Sequence, residues 1–120
     1  MPRSSDWPES LTPAAVQILL ALADDDRHGL GIVDEVAQRT HGEVRLGPGT
    51  LYGTIKRLRE AGFIVEARSS PNPRGDDDPR RRYYAITPAG RRALVREARR
   101  MEWLVRAARA KAILRSTEAE

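Results

Sequence analysis

The stretch from Gly47 to Ile64, GPGTLYGTIKRLREAGFI, narrows the choice of fold more than any other part of the chain. It reads as one helix opened at Gly47-Pro48, shut off at Gly62 by a natural left-handed residue, and followed at once by a strand. On a helical period Leu51, Ile55 and Leu58 share one stripe, while Gly49, Gly53, Lys56 and Arg57 fall on or near the opposite face. A helix anchored from behind and left nearly bare in front, with cations beside glycines, is laid out to enter a nucleic-acid groove.

The flanking residues supply the rest of an architecture. Residues 1–10, MPRSSDWPES, include Trp7 and read as a loose arm. Thr12-Pro13 is a helix start, with the hydroxyl as N-cap and proline in the first turn, where its missing N–H costs nothing. Leu11, Ala15, Ile18 and Leu22 form one stripe, widened by Val16, Leu19, Leu20 and Ala23, so the first helix should lie at the centre of the core. Asp24 to Asp26 suit a solvated turn. A second helix is expected from about His28 to Arg39 or Thr40, burying Leu30, Val33 and Ala37 with Ile32 and Val36 alongside, and ended by Gly42. Glu43 to Leu46 alternate as a short edge strand or extended linker. Beyond the third helix, Phe63 to Arg68 and Arg82 to Thr87 read as two strands, and Ser69 to Pro79 between them as the long tip of a β-hairpin.

Thr87-Pro88 repeats the first start signal, and a helical pattern then runs to about residue 115. Leu94, Ala98, Met101, Val105, Ala108 and Ala112 make a heptad seam, and Trp103, Ala107, Ala110 and Leu114 a second one about half a turn round the helix. Two apolar seams imply two neighbours: the domain's own core and the same helix of a second subunit. Which seam faces which neighbour the spacing leaves open.

Composition sets outer bounds. A chain of 120 residues has room for one modest core. Its net charge of +4 favours a polyanionic partner only weakly, because 19 of its 21 basic residues are arginine and base composition alone can produce that. The lack of cysteine excludes disulfides and thiol chemistry. No apolar run approaches a membrane span and the first ten residues lack a signal-peptide core, so a cytoplasmic protein is expected. His28 and His41, in different elements without a carboxylate pattern, make a poor metal site. His28 suits a capping or packing role. No metal or cofactor is expected.

The order helix, helix, helix, strand, long loop, strand, helix is that of a winged helix-turn-helix, an α+β, mainly α fold with a two-stranded wing and a long C-terminal dimerisation helix. In that design the third helix reads the major groove and the hairpin touches the adjacent backbone. Lys56 and Arg57 would meet phosphates, Thr50 and Tyr52 would donate to phosphate or base edges, and Gly49 and Gly53 would let the helix approach. The expected organisation is an arm over 1–10, a DNA-binding domain over 11–87, the dimerisation helix over 88–115 and a disordered tail over 116–120.

The segments LTPAAVQILLALADDDRHGLGI, GPGTLYGTIKRLREAGFI and RRRYYAITPAGRRAL resemble the PadR family of bacterial transcriptional regulators. The resemblance implies that Thr50-Leu51-Tyr52 opens the recognition helix, that Arg81-Arg82-Tyr83-Tyr84 is the returning wing strand, and that Thr87 to Gly90 lead into the C-terminal helix. It further implies a homodimer on a pseudo-palindromic operator, usually a repressor relieved by a small molecule or stress signal, in the short form with one dimerisation helix. Some short members bind flat apolar compounds between subunits, in which case Trp103 would supply a stacking face and Ala107 the space beside it. One departure concerns the wing tip, where Asp76, Asp77 and Asp78 would repel phosphate. Backbone contacts there fall to Arg74, Arg80, Arg81 and Arg82, unless the tip folds away; the favoured reading is a solvated, disordered tip whose charges contribute little.

Two rivals remain. An enzyme is not expected: the glycines of GPGTLYG precede no Gly-Lys-Ser/Thr, no dinucleotide fingerprint follows a strand, and no Ser-His-carboxylate set stands out. A winged helix that binds protein without an operator is allowed by the fold. It should expose aliphatic residues on the third helix, where this chain has Lys56 and Arg57.

Overall fold

The computed structural model describes residues 11–67 and 81–115. The first helix, α1 (Pro13–Leu22), is capped by Thr12, whose hydroxyl accepts the Ala15 N–H at 3.1 Å, and it buries Ala15, Ile18, Leu19, Ala21 and Leu22. Its exposed carbonyl end is held by two arginines: Arg27 Nε donates to the Ala21 carbonyl at 2.7 Å and Arg91 Nη2 to that of Ala23 at 2.8 Å. Cations at that end also oppose the negative pole of the helix.

Arg27–His28 form a two-residue strand, β1, where the sequence pattern placed a helix start. A pair of residues carries no periodicity, so nothing in the sequence marks it. Helix α2 (Gly29–Arg39) then buries Gly29, Ile32 and Val36, while Val33 rests half-buried on the core and Leu30 is 58% exposed. The buried stripe is thus Ile32 and Val36, and the expected burial of Leu30 is overturned. Helix α2 closes with His41, not Gly42, in the first left-handed position (φ 54°), with Gly42 following at φ 81°. The Gly42 N–H reaches back to the Ala37 carbonyl at 2.7 Å.

Residues 43–47 are an extended linker rather than a strand. The Thr40 hydroxyl donates to the Val36 carbonyl at 2.7 Å and accepts the Val44 N–H at 3.0 Å, which lays Val44 and Leu46 on the core. Helix α3 (Pro48–Glu60) buries Leu51, Thr54, Ile55 and Leu58. It ends as expected at Gly62, φ 80°, with Phe63 N–H donating to the Leu58 carbonyl at 2.9 Å and Gly62 N–H to that of Arg59 at 3.0 Å.

Strands β2 (Ile64–Ala67) and β3 (Tyr83–Ile86) pair antiparallel with Ile64 opposite Ile86 and Ala67 opposite Tyr83. Strand β1 adds to the other edge of β3, giving a three-stranded sheet of order β1-β3-β2 instead of a bare hairpin. The hairpin tip, with Arg74, Asp76 to Asp78 and Arg80, lies outside the described residues, as do the N-terminal ten residues with Trp7 and the last five.

Helix α4 (Pro88–Ala110) starts at a three-way stitch. The Thr87 hydroxyl accepts the Gly90 N–H at 3.0 Å and donates to the Gly62 carbonyl at 2.7 Å, while the Thr87 N–H donates to the Phe63 carbonyl at 3.0 Å. A Cβ on Gly90 would overlap the Phe63 carbonyl, so only glycine lets α4 sit this close to the end of α3. Gly90, Ala93 and Glu97 are buried in α4, and Glu97 Oε1 accepts the Leu11 N–H at 3.3 Å. After Glu97 no further residue of α4 is buried. The helix closes at Ala110 rather than near residue 115, with Ala112 in the left-handed region at φ 65° and Ile113 N–H donating to the Ala108 carbonyl at 2.8 Å. Ala112 therefore stands past the helical seam to which its spacing assigned it.

Candidate nucleic-acid interface

The core side of α3 is fixed by Leu51, Ile55 and Leu58, each 3% exposed or less, so the face opposite them must point outward. Thr50, Tyr52, Lys56 and Arg57 are all exposed. Lys56 Nζ is 4.0 Å from Glu60 Oε2 with both side chains well solvated, a pairing too loose to occupy the ammonium. Arg57 Nη2 donates to the Thr54 hydroxyl at 3.4 Å, which steadies the stem and leaves the rest of the guanidinium outward. A Cβ placed on Gly49 or Gly53 would meet nothing within 4 Å, so the chain itself does not require glycine at either position.

Tyr52 is half-exposed, and its other half is fixed against α2: its hydroxyl occupies the space that a Cβ on Gly29 would fill. Gly29 is thus a positioning residue for Tyr52. Tyr52 and Tyr84 together wall two adjoining clefts. One, about 290 Å³, is lined also by His28, Leu30, Arg81 and Arg82; the other, about 480 Å³, by Ile55, Lys56, Arg59 and Glu60.

The wing base joins α3 through these clefts. His28 caps α2, Nδ1 accepting the Gly31 N–H at 3.1 Å, and meets Tyr83 edge-on at 5.1 Å. Arg81 Nη1 lies 3.0 Å from His28 Nε2, which ties the chain entering β3 to the cap of α2. Arg82 and Arg59 lie 3.9 and 3.7 Å from the two carboxylate oxygens of Glu66, a solvated network that spans wing and helix. Burial pushes the Tyr84 phenol above its ordinary pKa, the Glu66 carboxylate adds to the rise, and Arg59 and Arg82 oppose it. Tyr84 is therefore a neutral hydroxyl at neutral pH.

Of the sequence-predicted contacts, Thr50, Tyr52, Gly53, Lys56 and Arg57 share the outer side of α3, and Arg81 and Arg82 border the same surface from the wing. Along α4, Leu94 packs half-buried on the core, Ala98 and Met101 are exposed, and Val105 and Ala108 are half-buried. Trp103 is 62% exposed and Ala107 is exposed, so one protomer does not enclose them. Among the described residues no helix is long and apolar enough to cross a membrane.

Known proteins share this arrangement of helices and wing. A family model described as the transcriptional regulator PadR-like family matches residues 18–96, from α1 through the wing into α4. The chain belongs to the PadR-like family. This PadR-like regulator is 40% identical over 91 residues to the Transcriptional regulator Rv3488 of Mycobacterium tuberculosis, covering 76% of this chain and 78% of that one. A PadR family transcription regulator from hypervirulent Clostridium difficile superposes with a TM-score of 0.64 at 26% identity, over 86% of this chain and all of the other. A transcriptional regulator from Clostridium thermocellum shares the fold with a TM-score of 0.68 at 24% identity, over 81% of this chain and 87% of that one.

Proposed function

We propose that this PadR-like transcriptional regulator is a repressor that binds a pseudo-palindromic operator as a homodimer and is released by an effector. The observation that carries the reading is the outer face of α3, where Lys56 and Arg57 stand exposed with no ordered partner strong enough to occupy them and two glycines leave room for a duplex. Lys56, Arg57, Arg81 and Arg82 serve as phosphate contacts; Thr50 and Tyr52 are within the reach of base edges. Pairing of protomers is supported by α4: the face that meets the core at Ala93 and Leu94 continues outward through Met101 and Leu104, which are exposed, and Val105 and Ala108, which are half-buried. A two-fold pair would set two α3 helices about 34 Å apart, one turn of B-DNA.

Selection of bound duplexes from a random pool tests this directly. The expected product is a two-fold motif, and enrichment of a single asymmetric half-site or of nothing overturns the proposal. Lys56→Ala and Arg57→Ala should each weaken binding and lower the salt slope by about one unit while leaving the thermal midpoint nearly unchanged. A variant that unfolds instead would mean that these cations hold the fold together.

A further inference from the structure

Charge is distributed in this chain against the direction that an α3-centred picture suggests. From Pro88 to Arg115 nine basic residues accompany only two acidic ones, Glu97 and Glu102, an excess of seven in a chain whose total is +4, so all other residues together are net acidic. Glu97 is turned inward, buried and bonded to the Leu11 N–H, and does not neutralise the outer surface.

Position along the helix sorts these cations. Gly90, Ala93 and Glu97 define the side of α4 that faces the core. Arg92, Arg96, Arg99, Trp103 and Arg106 follow one another at spacings of 4, 3, 4 and 3, which keeps them within about 40° of a single line roughly 130° round the helix from that side. All five are exposed, Trp103 at 62%. Arg100 lies off this line and pairs with Glu97 at 3.6 Å. Glu102 is near the line yet within ion-pair distance of neither Arg99 nor Arg106, and among the described residues none of the four arginines has a hydrogen-bond or ion-pair partner. The result is a line of guanidinium groups roughly 21 Å long with an indole set among them. Sequence spacing assigned Trp103 to an apolar seam, but its neighbours on the surface are arginines.

We propose that this outward face of α4 is a second, sequence-independent nucleic-acid-binding surface, in which Arg92, Arg96, Arg99 and Arg106 pair with phosphates of the backbone and Trp103 stacks on a base. Charge complementarity selects the partner: four uncompensated guanidiniums in line match a regularly spaced polyanion. The exposed indole selects further, because stacking on a base gives a large aromatic a partner that a purely ionic surface would not. The surface lies across α4 from Met101, Leu104, Val105 and Ala108, so pairing of protomers through those residues leaves it open. It does not depend on the α3 reading, since no residue is shared.

The test uses the full chain with Trp7→Phe, so that Trp103 is the sole tryptophan. Random-sequence single strands and random-sequence duplexes are titrated across salt concentrations, following Trp103 emission and nucleic-acid anisotropy, with anionic lipid vesicles as a third arm. Quenching of Trp103 is expected with nucleic acid, stronger for the single strand if unpaired bases stack. It should persist in the Lys56→Ala/Arg57→Ala variant, where operator binding is lost. The Arg92→Ala/Arg96→Ala/Arg99→Ala/Arg106→Ala variant, whose exposed helical sites tolerate alanine, should lose the quenching and lower the duplex salt slope by about three to four units. An unchanged slope with unchanged quenching in that variant overturns the proposal, as does quenching by vesicles alone. Failure of the two-fold selection with the α4 results intact would count against the operator reading only.

Discussion

Replacing Gly53 with alanine separates what the fold wants from what the function wants. Gly53 sits in the interior of α3, and alanine there is favoured over glycine by about 1 kcal/mol in helical propensity. No atom lies within 4 Å of the added methyl, so no clash subtracts from that gain. The variant should therefore be more stable by about 1 kcal/mol, a rise in Tm of roughly 3–6 °C for a chain of this size. The same methyl projects from the face that carries Lys56 and Arg57, and it would hold a docked duplex away from the helix. Loss of even one charge-assisted hydrogen bond, about 1.5–3 kcal/mol, is a roughly ten- to hundredfold loss of operator affinity. Thermal unfolding and anisotropy on the selected operator read the two effects on the same preparation. A protein that is more stable and binds as tightly as its parent would refute the claim that DNA meets α3 at Gly53. A less stable protein would refute the claim that the space beside Gly53 is open.

Three further outcomes follow from particular contacts. Gly90→Ala forces a methyl into the Phe63 carbonyl and should cost roughly 1–3 kcal/mol in chemical denaturation, the reverse sign to Gly53→Ala. Met101→Glu with Val105→Glu should yield monomers by sedimentation and weaken operator binding through loss of the second half-site; a variant that stays dimeric locates the interface on another face of α4. The raised pKa of Tyr84 means that its neutral form is favoured in the folded state, so its contribution is complete below the unfolded phenol value near 10 and is lost as pH rises through the higher folded value. Phenolate absorbance should show one tyrosine titrating late, and Tyr84→Phe should remove that step.

Much of the fold was legible because its long elements carry strong periodic and capping signals. Thr12, Gly62 and Thr87 each end or begin an element where the pattern placed them, and their hydrogen bonds are those that the residue types imply. The outward placement of Lys56 and Arg57 followed from Leu51, Ile55 and Leu58 alone, since three buried positions fix the rotation of a helix. What escaped the sequence has non-local or very short causes. Strand β1 exists because β3 offers Tyr83 and Tyr84 as partners to Arg27 and His28, which lie more than fifty residues away. Leu30 is exposed because Gly29, with Tyr52 lying over it, sets the rotation of α2. The early end of α4 rests on Ala112 in a conformation that its side chain does not advertise. Of the interface, the role of Gly29 has no local signal, since its glycine character answers to a tyrosine on another helix.

The stitch made by Thr87, Gly62 and Phe63 has a mechanical consequence. It fastens the root of α4 directly to the exit of α3 through the Thr87 hydroxyl and N–H, a coupling under which the two helices would turn together like a bell-crank. With α4 about 34 Å long, a reorientation of 6° at its root corresponds to roughly 3.6 Å of travel at its far end. In the proposed dimer, anything that alters how two such shafts cross would retune the distance between the two α3 helices.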